Sequence, residues 1–198
     1  YYFFRFLLSV GSIDFDEFYC LAGGNIKFQG NKICLSLPES TERKTAFEQD
    51  NKFGFEYFPG LRHPIGWIGC GLSYKFIMKK AMEQKLPQLT VCEDDVLFPD
   101  SFQERFLNIS KYLQEHQEEW HLFSGLLADL SDVKIKGIVN YNDEKLVYIN
   151  KMVSMVFNVY NQSFYQYFLE WDEKDKDNKV ITIDRFLERQ KNLKIVNL

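Results

Sequence analysis

The chain has 198 residues, 45% of them apolar and 17% aromatic, with a formal net charge of −4. That length suits one domain with a real core, or two small ones, and a content of 19 Phe and 11 Tyr excludes a disordered chain. The negative balance argues against a general nucleic-acid binder, because phosphate neutralisation needs a basic surface; it leaves room for one anionic ligand in a local basic pocket.

Residues 1–30 differ from the rest. They are strongly aromatic and end in a loose Ala22-Gly23-Gly24-Asn25. They read as two short strands, 2–10 and 13–19, or as the tail of a preceding module, and so as an N-terminal extension of unclear role before a domain at 31–198. The first ten residues are apolar except for Arg5. They are too short to span a bilayer and lack a small-residue cleavage site, so neither a transmembrane segment nor a signal peptide is expected. The sequence starts with Tyr rather than Met, which fits a piece of a longer polypeptide.

From Lys32 onward, strand and helix patterns alternate. Ile33-Cys34-Leu35-Ser36-Leu37 reads as a strand stopped by Pro38, and Ser40 or Thr41 can cap a helix running to about Asp50. Phe55-Glu56-Tyr57-Phe58 is a second strand, closed by Pro59-Gly60. A helix follows, on which Cys70, Ser73, Ile77 and Ala81 form a narrow face of small residues. Leu89 to Cys92 is a strand. Ser101 with Glu104 carries a capping-box signature, and Phe102, Phe106, Ile109 and Leu113 mark the buried face of the helix behind it. Further strands are expected at 120–124 and 153–160, with a hairpin between them around Tyr141-Asn142-Asp143-Glu144. Asn161-Gln162-Ser163 starts a helix. The charged run 172–179 reads as a solvated loop. Val180-Ile181-Thr182-Ile183 reads as a strand leading into Asp184 and a short helix, and a last strand lies at 193–196. This alternation predicts an α/β fold with a mainly parallel sheet.

The four cysteines (Cys20, Cys34, Cys70, Cys92) include no C-x-x-C pair and have no zinc-ligand spacing to the three histidines. They read as reduced thiols, which points to a reducing compartment such as the cytoplasm, free or at a membrane surface.

The most informative stretch is Leu89-Thr90-Val91-Cys92-Glu93-Asp94-Asp95-Val96-Leu97, where a strand-length apolar run feeds three adjacent carboxylates. Three such charges repel one another and gain nothing from burial, so a fold gathers them only where a cation, a cationic cluster or water compensates them. At the carboxyl end of a parallel strand, where α/β proteins bind ligands, a hard divalent ion is the leading compensator; a solvated turn is the plain alternative.

The order of motifs resembles glycosyltransferase family 25, the lipooligosaccharide galactosyltransferases of bacteria and the related collagen galactosyltransferase domains. Four blocks carry the resemblance: the first strand with Leu37-Pro38-Glu39-Ser40-Thr41-Glu42-Arg43; Ile68-Gly69-Cys70-Gly71-Leu72-Ser73-Tyr74, like a Gly-Cys-x-x-Ser-His block; Cys92-Glu93-Asp94-Asp95, like an aliphatic-Glu-Asp-Asp block; and 154–160 with Ile183-Asp184-Arg185-Phe186-Leu187. The resemblance runs from about Ile33 to the end of the chain. It implies a GT-A-like, Rossmann-type nucleotide-binding domain that transfers galactose or glucose from a UDP-sugar to a hydroxyl of a glycan or glycosylated protein, as in lipopolysaccharide biosynthesis. The acidic cluster is then similar to a metal motif, with Glu93 and Asp95 holding Mn²⁺ or Mg²⁺ against the diphosphate. Asp94 would point away or touch the donor sugar, because adjacent strand residues alternate in direction. Arg43 would pair with phosphate, or is a surface Arg on an amphipathic helix. Ser73 would line the donor pocket, or is a packing residue. Asp184 would be the base for the acceptor hydroxyl, or the N-cap of its helix. Tyr74 stands where the family usually has His, and relatives continue beyond Leu198 into another donor-site segment; a non-catalytic GT-A-like binding or scaffolding domain is therefore the alternative. A metal-dependent phosphotransferase or phosphatase would also use the acidic cluster, but leaves the Gly-Cys-x-x-Ser block unexplained.

Overall fold

A computed structural model describes residues 1–152, 154–175 and 181–198. The strands are β1 (Lys32–Ser36), β2 (Glu56–Pro59), β3 (Gln88–Glu93), β4 (Leu122–Ser124), β5 (Ile135–Tyr141), β6 (Glu144–Ile149), β7 (Phe157–Asn161) and β8 (Ile195–Asn197). They form one sheet in the order β2-β1-β3-β7-β4-β8-β6-β5. The helices are α1 (Tyr2–Ser9), α2 (Phe15–Ala22), α3 (Thr41–Asp50), α4 (Gly66–Glu83), α5 (Phe102–Glu115), α6 (Tyr165–Glu170) and α7 (Ile183–Glu188).

Helices cover both faces, and strand alternation divides the core accordingly. Ile33, Leu35, Leu89 and Val91 pack with α4, α6, α7 and the two N-terminal helices. Cys34 and Cys92 point the other way, toward Phe47 of α3 and Ile109, Tyr112 and Leu113 of α5. The chain therefore leaves β1 through α3 on one face to reach β2, and returns through α4 on the other face to reach β3, on the opposite side of β1. That reversal creates a crevice at the carboxyl ends of β1 and β3.

The α/β class and the mixed sheet follow the sequence reading, but parallel pairing dominates only where the site lies. β2, β1 and β3 run parallel to one another. β7 runs antiparallel between β3 and β4, β8 is parallel to β4, and β6 is antiparallel to both β8 and β5. The expected hairpin is β5-β6, turning on Asn142 at φ 51°.

Other expectations need correction. Residues 2–10 and 13–19 are not strands but lie largely in α1 and α2. Asp14 and Glu17 form a capping box that starts α2. The two helices pack into the core: Phe18 and Tyr19 lie 5.8 and 4.8 Å from the Phe76 ring of α4. The capping box expected at Ser101 is absent, because the Ser101 backbone is already helical (φ −79°, ψ −1°) and its hydroxyl makes no cap bond. The strand expected before Asp184 does not form at its described residues: Thr182 is the N-cap of α7 and Ile183 its first residue. Val153, Val180 and the charged-run residues 176–179 lie outside the described residues. Among the described residues no helix is long and apolar enough to cross a membrane.

Candidate functional site

The site is built where β1 and β3 end side by side, with Leu35 opposite Glu93 in the register. Ser36 closes β1, and its hydroxyl donates to Asp94 Oδ2 at 2.8 Å. Asp94 and Asp95 form the turn after β3. Arg43 reaches this turn from the first turn of α3, placing Nε 3.4 Å from Asp94 Oδ1 and a terminal nitrogen 3.3 Å from Asp95 Oδ2. One guanidinium thus compensates two carboxylates.

The third carboxylate is treated differently. Glu93 forms no ion pair among the described residues, and its one side-chain partner is the Cys70 thiol, 3.9 Å from Oε1. Burial, then the charges of Asp95 and Asp94, push the Glu93 carboxyl up to about 7 against the opposing pull of Arg43 and Cys70. Cys70 is itself held protonated, first by burial and then by the negative charges of Glu93 and Asp184. It is therefore a thiol that faces a carboxyl and not an activated nucleophile.

The opposite wall is the start of α4 against residues 61–64. The Gly-Cys-x-x-Ser block has a physical explanation here. A Cβ on Gly69 would lie 3.0 Å from Leu61 O and 3.1 Å from His63 N, so only glycine lets the helix approach this closely. One turn on, the Ser73 hydroxyl donates to Gly69 O and accepts from Leu61 N, both at 2.7 Å. Tyr74 turns away from the cleft: it is fully buried, donates to Met155 O at 2.8 Å and stacks on Phe168. Between the walls lies a cleft of about 320 Å³ whose lining includes Leu35, Arg43, Arg62, His63, Cys70 and Glu93.

The structure brings Arg43, Ser73, Glu93, Asp94 and Asp95 to this one place. Glu93 and Asp94 both line the cleft, because strand alternation stops at Glu93 and Asp94 already belongs to the turn. Asp95 is half exposed and lines a separate apolar groove that runs along α5 past Phe98, Phe102 and Phe106. Ser73 borders the cleft, but two of its hydrogen bonds already serve the wall. Asp184 is the second residue of α7 and does not line the cleft; its charge reaches Cys70 and Tyr160 from that side of the sheet. Sequence reasoning missed Cys70 and Arg62 as cleft residues and Ser36 as the partner of Asp94. Each neighbours a recognised signal (a Gly-Cys pair, a Pro-Gly exit, a strand end), but no local pattern shows where its side chain goes.

Among the described residues no three His, Cys, Asp or Glu side chains are placed to cage a metal ion. The donor set still fits a hard divalent cation of the kind held by one or two carboxylates and completed by phosphate and water. Three carboxylates lie beside one guanidinium, and Glu93 is raised first by burial and then by the charges of Asp95 and Asp94.

The sequence model of glycosyltransferase family 25 (LPS biosynthesis protein) matches residues 64–171 of the chain. Procollagen galactosyltransferase 2 of Homo sapiens is 31% identical over 99 residues, 46% of this chain and 16% of that protein. A glycosyltransferase 25 family member of Aedes aegypti is 25% identical over 169 residues, 67% of this chain and 28% of that protein. The chain thus spans well under a third of these curated relatives. The crystal structure of A197 from STIV shares the fold, with a TM-score of 0.50 at 14% identity, covering 84% of this chain and 79% of that one.

Proposed function

The chain belongs to glycosyltransferase family 25, and on that footing we propose that it transfers galactose or glucose from a UDP-sugar to a hydroxyl of a glycan or glycosylated protein, using a GT-A-like donor site at the ends of β1 and β3. The observation that carries this reading is the acidic turn after β3: Arg43 pairs there with Asp94 and Asp95, and Arg43, Glu93 and Asp94 line a cleft of nucleotide-binding size at the sheet's switch point.

In this reading Arg43 pairs with the diphosphate. Asp94, tied to Ser36, keeps the acidic turn against β1. Leu35, Leu37 and Leu61 give the cleft an apolar wall for the nucleoside. A Mn²⁺ or Mg²⁺ ion held by Glu93 and Asp95 would supply the charge neutralisation that makes UDP a good leaving group. Asp184 takes the acceptor hydroxyl's proton as the new C–O bond forms and the bond to UDP breaks. One observation favours a second reading, a non-catalytic donor-binding domain: Tyr74 replaces the family's usual His and is buried away from the cleft.

Calorimetric titration of UDP with and without Mn²⁺, followed by an assay of UDP-sugar hydrolysis, separates these. Mn²⁺-dependent binding with turnover supports the transferase. The same binding without turnover, toward any acceptor tried, supports the second reading. No UDP binding by the folded chain refutes both.

A further inference from the structure

We propose that Arg5 of α1 is a positioning residue for the donor cleft: it ties together the two chain segments that form the cleft's outer wall and, through Glu39, sets the Arg62 side chain on the lining. The inference rests on the reading of this cleft as a nucleotide-sugar site.

Arg5 is only 7% exposed. Its Nε donates to Gly60 O at 2.7 Å, and its two terminal nitrogens donate to the two Glu39 carboxylate oxygens at 2.7 and 2.9 Å. Glu39 follows the exit of β1, two residues after Leu37. Gly60 follows the exit of β2, one residue before Leu61. Leu37 and Leu61 both line the cleft. A single rigid fork in the N-terminal helix therefore holds two strand exits that share no turn of chain. Tyr1 adds a third tie, its hydroxyl donating to Pro59 O at 2.6 Å. Glu39 has a second cationic partner on its cleft side, an Arg62 terminal nitrogen 3.7 Å from Oε1, and Arg62 lines the cleft. The chain of contacts runs Arg5, Glu39, Arg62, cleft.

Packing agrees with a fixed wall. A Cβ on Gly60 would sit 3.0 Å from the Leu35 side chain, so the β2 exit lies directly on β1. A buried Arg, even one with a bond from each of its three nitrogens, is a poor way to add stability, because apolar side chains of similar volume often do as well. It is a good way to specify one geometry, and here that geometry is the spacing of the two exits. The role also accounts for why α1 and α2 belong to the same core as the site.

The test compares Arg5→Lys, Glu39→Gln and Arg62→Gln with Asp14→Ala, which removes the α2 cap in the same N-terminal region without touching the cleft. The readouts are melting temperature, the Kd of UDP in Mn²⁺, and KM and kcat for UDP-sugar hydrolysis, all measured well below the melting transition. Arg5→Lys and Glu39→Gln are expected to raise Kd and KM by roughly tenfold with a smaller change in kcat, and Arg62→Gln moves them in the same direction. The double variant of Arg5 and Glu39 should be little worse than either single one, since both act through one contact. Asp14→Ala should lower the melting temperature and leave Kd unchanged. Unchanged Kd and KM in the Arg5 and Glu39 variants, or an equal shift in Asp14→Ala, overturns the proposal while the donor reading stands. Absence of UDP binding by the wild-type chain overturns the donor reading and this proposal with it.

Discussion

Replacing Glu93 by Gln should make the protein more stable at neutral and alkaline pH while destroying the metal-assisted binding proposed for it. The folded-state carboxyl titrates near 7 against 4.5 for an ordinary Glu, chiefly because it is buried beside Asp95 and Asp94. Between those two values the folded chain holds a proton that the unfolded chain has released, so stability falls as pH rises through the window. Above about 7 the loss is complete and amounts to about 3 kcal/mol, at 1.36 kcal/mol for each tenfold step in acidity. Gln is uncharged and nearly isosteric, so the variant should match the wild type below pH 4.5 and exceed it by up to about 3 kcal/mol at pH 8. With a urea m-value of about 2 kcal/mol/M, that is a rise of about 1.5 M in the unfolding midpoint. The assay is urea unfolding of both proteins across pH 4 to 9, without divalent metal and then with Mn²⁺ and UDP, where the wild type alone should gain stability. A wild type and variant with parallel pH profiles, or a variant less stable at pH 8, would refute the account of Glu93 as a buried, uncompensated carboxyl.

Three further outcomes follow from the same geometry. Arg43→Gln should shift two affinities in opposite directions: Mn²⁺ alone should bind more tightly, because a competing cation has left Asp94 and Asp95, while UDP in saturating Mn²⁺ should bind less tightly. Parallel shifts in calorimetry would show that Arg43 does not exchange partners. Asp184→Asn should cut transfer at least about a hundredfold and leave the Kd of UDP unchanged, and near-normal turnover would remove Asp184 as the base. Gly71→Ala should cost about 1–3 kcal/mol and several degrees in melting temperature, because the added Cβ would lie 2.4 Å from the Trp171 ring. An unchanged melting temperature would mean that this contact has room to relax.

The acidic turn was legible because its chemistry is written in consecutive residues: a strand-length apolar run, then Glu93-Asp94-Asp95. The alternation of β1, α3, β2, α4 and β3 was legible for the same reason, since each of these elements carries its own periodicity and its own stop. What failed depended on partners far away in sequence. The aromatic run at the N-terminus suits strand and helix alike; α1 and α2 follow from packing on Phe76 of α4 and from the Arg5 contacts to Glu39 and Gly60. Alternation does not separate Asp94 from Glu93, because β3 ends at Glu93 and Asp94 already belongs to the turn. The capping box at Ser101 had the right residues, yet α5 was already specified by its apolar face and the cap geometry did not form. Cys70 and Arg62 could not be picked out locally as cleft residues, nor Ser36 as the partner of Asp94, because side-chain direction there is decided by the sheet register and by the packing of α4 against it.

The division of labour among the three carboxylates bears on how the proposed donor complex would assemble. Asp94 is pinned twice, by the Ser36 hydroxyl and by Arg43, and Asp95 shares that guanidinium from the rim. Glu93 has no ion-pair partner among the described residues, is half-buried in the cleft wall, and its carboxyl is pushed up to about 7. Arg43, half exposed and only 3.3–3.4 Å from its two carboxylates, divides its donors between the acidic turn and any bound diphosphate, and a protonated Glu93 is a poor ligand for a hard cation. With a divalent ion and nucleotide both bound, Glu93 and Asp95 would hold the ion as carboxylates, and Arg43 would be free to pair with the phosphates. On this reading the cluster favours joint binding of metal and donor over either separately, and the affinity of each for the site should rise by the same factor when the other is present.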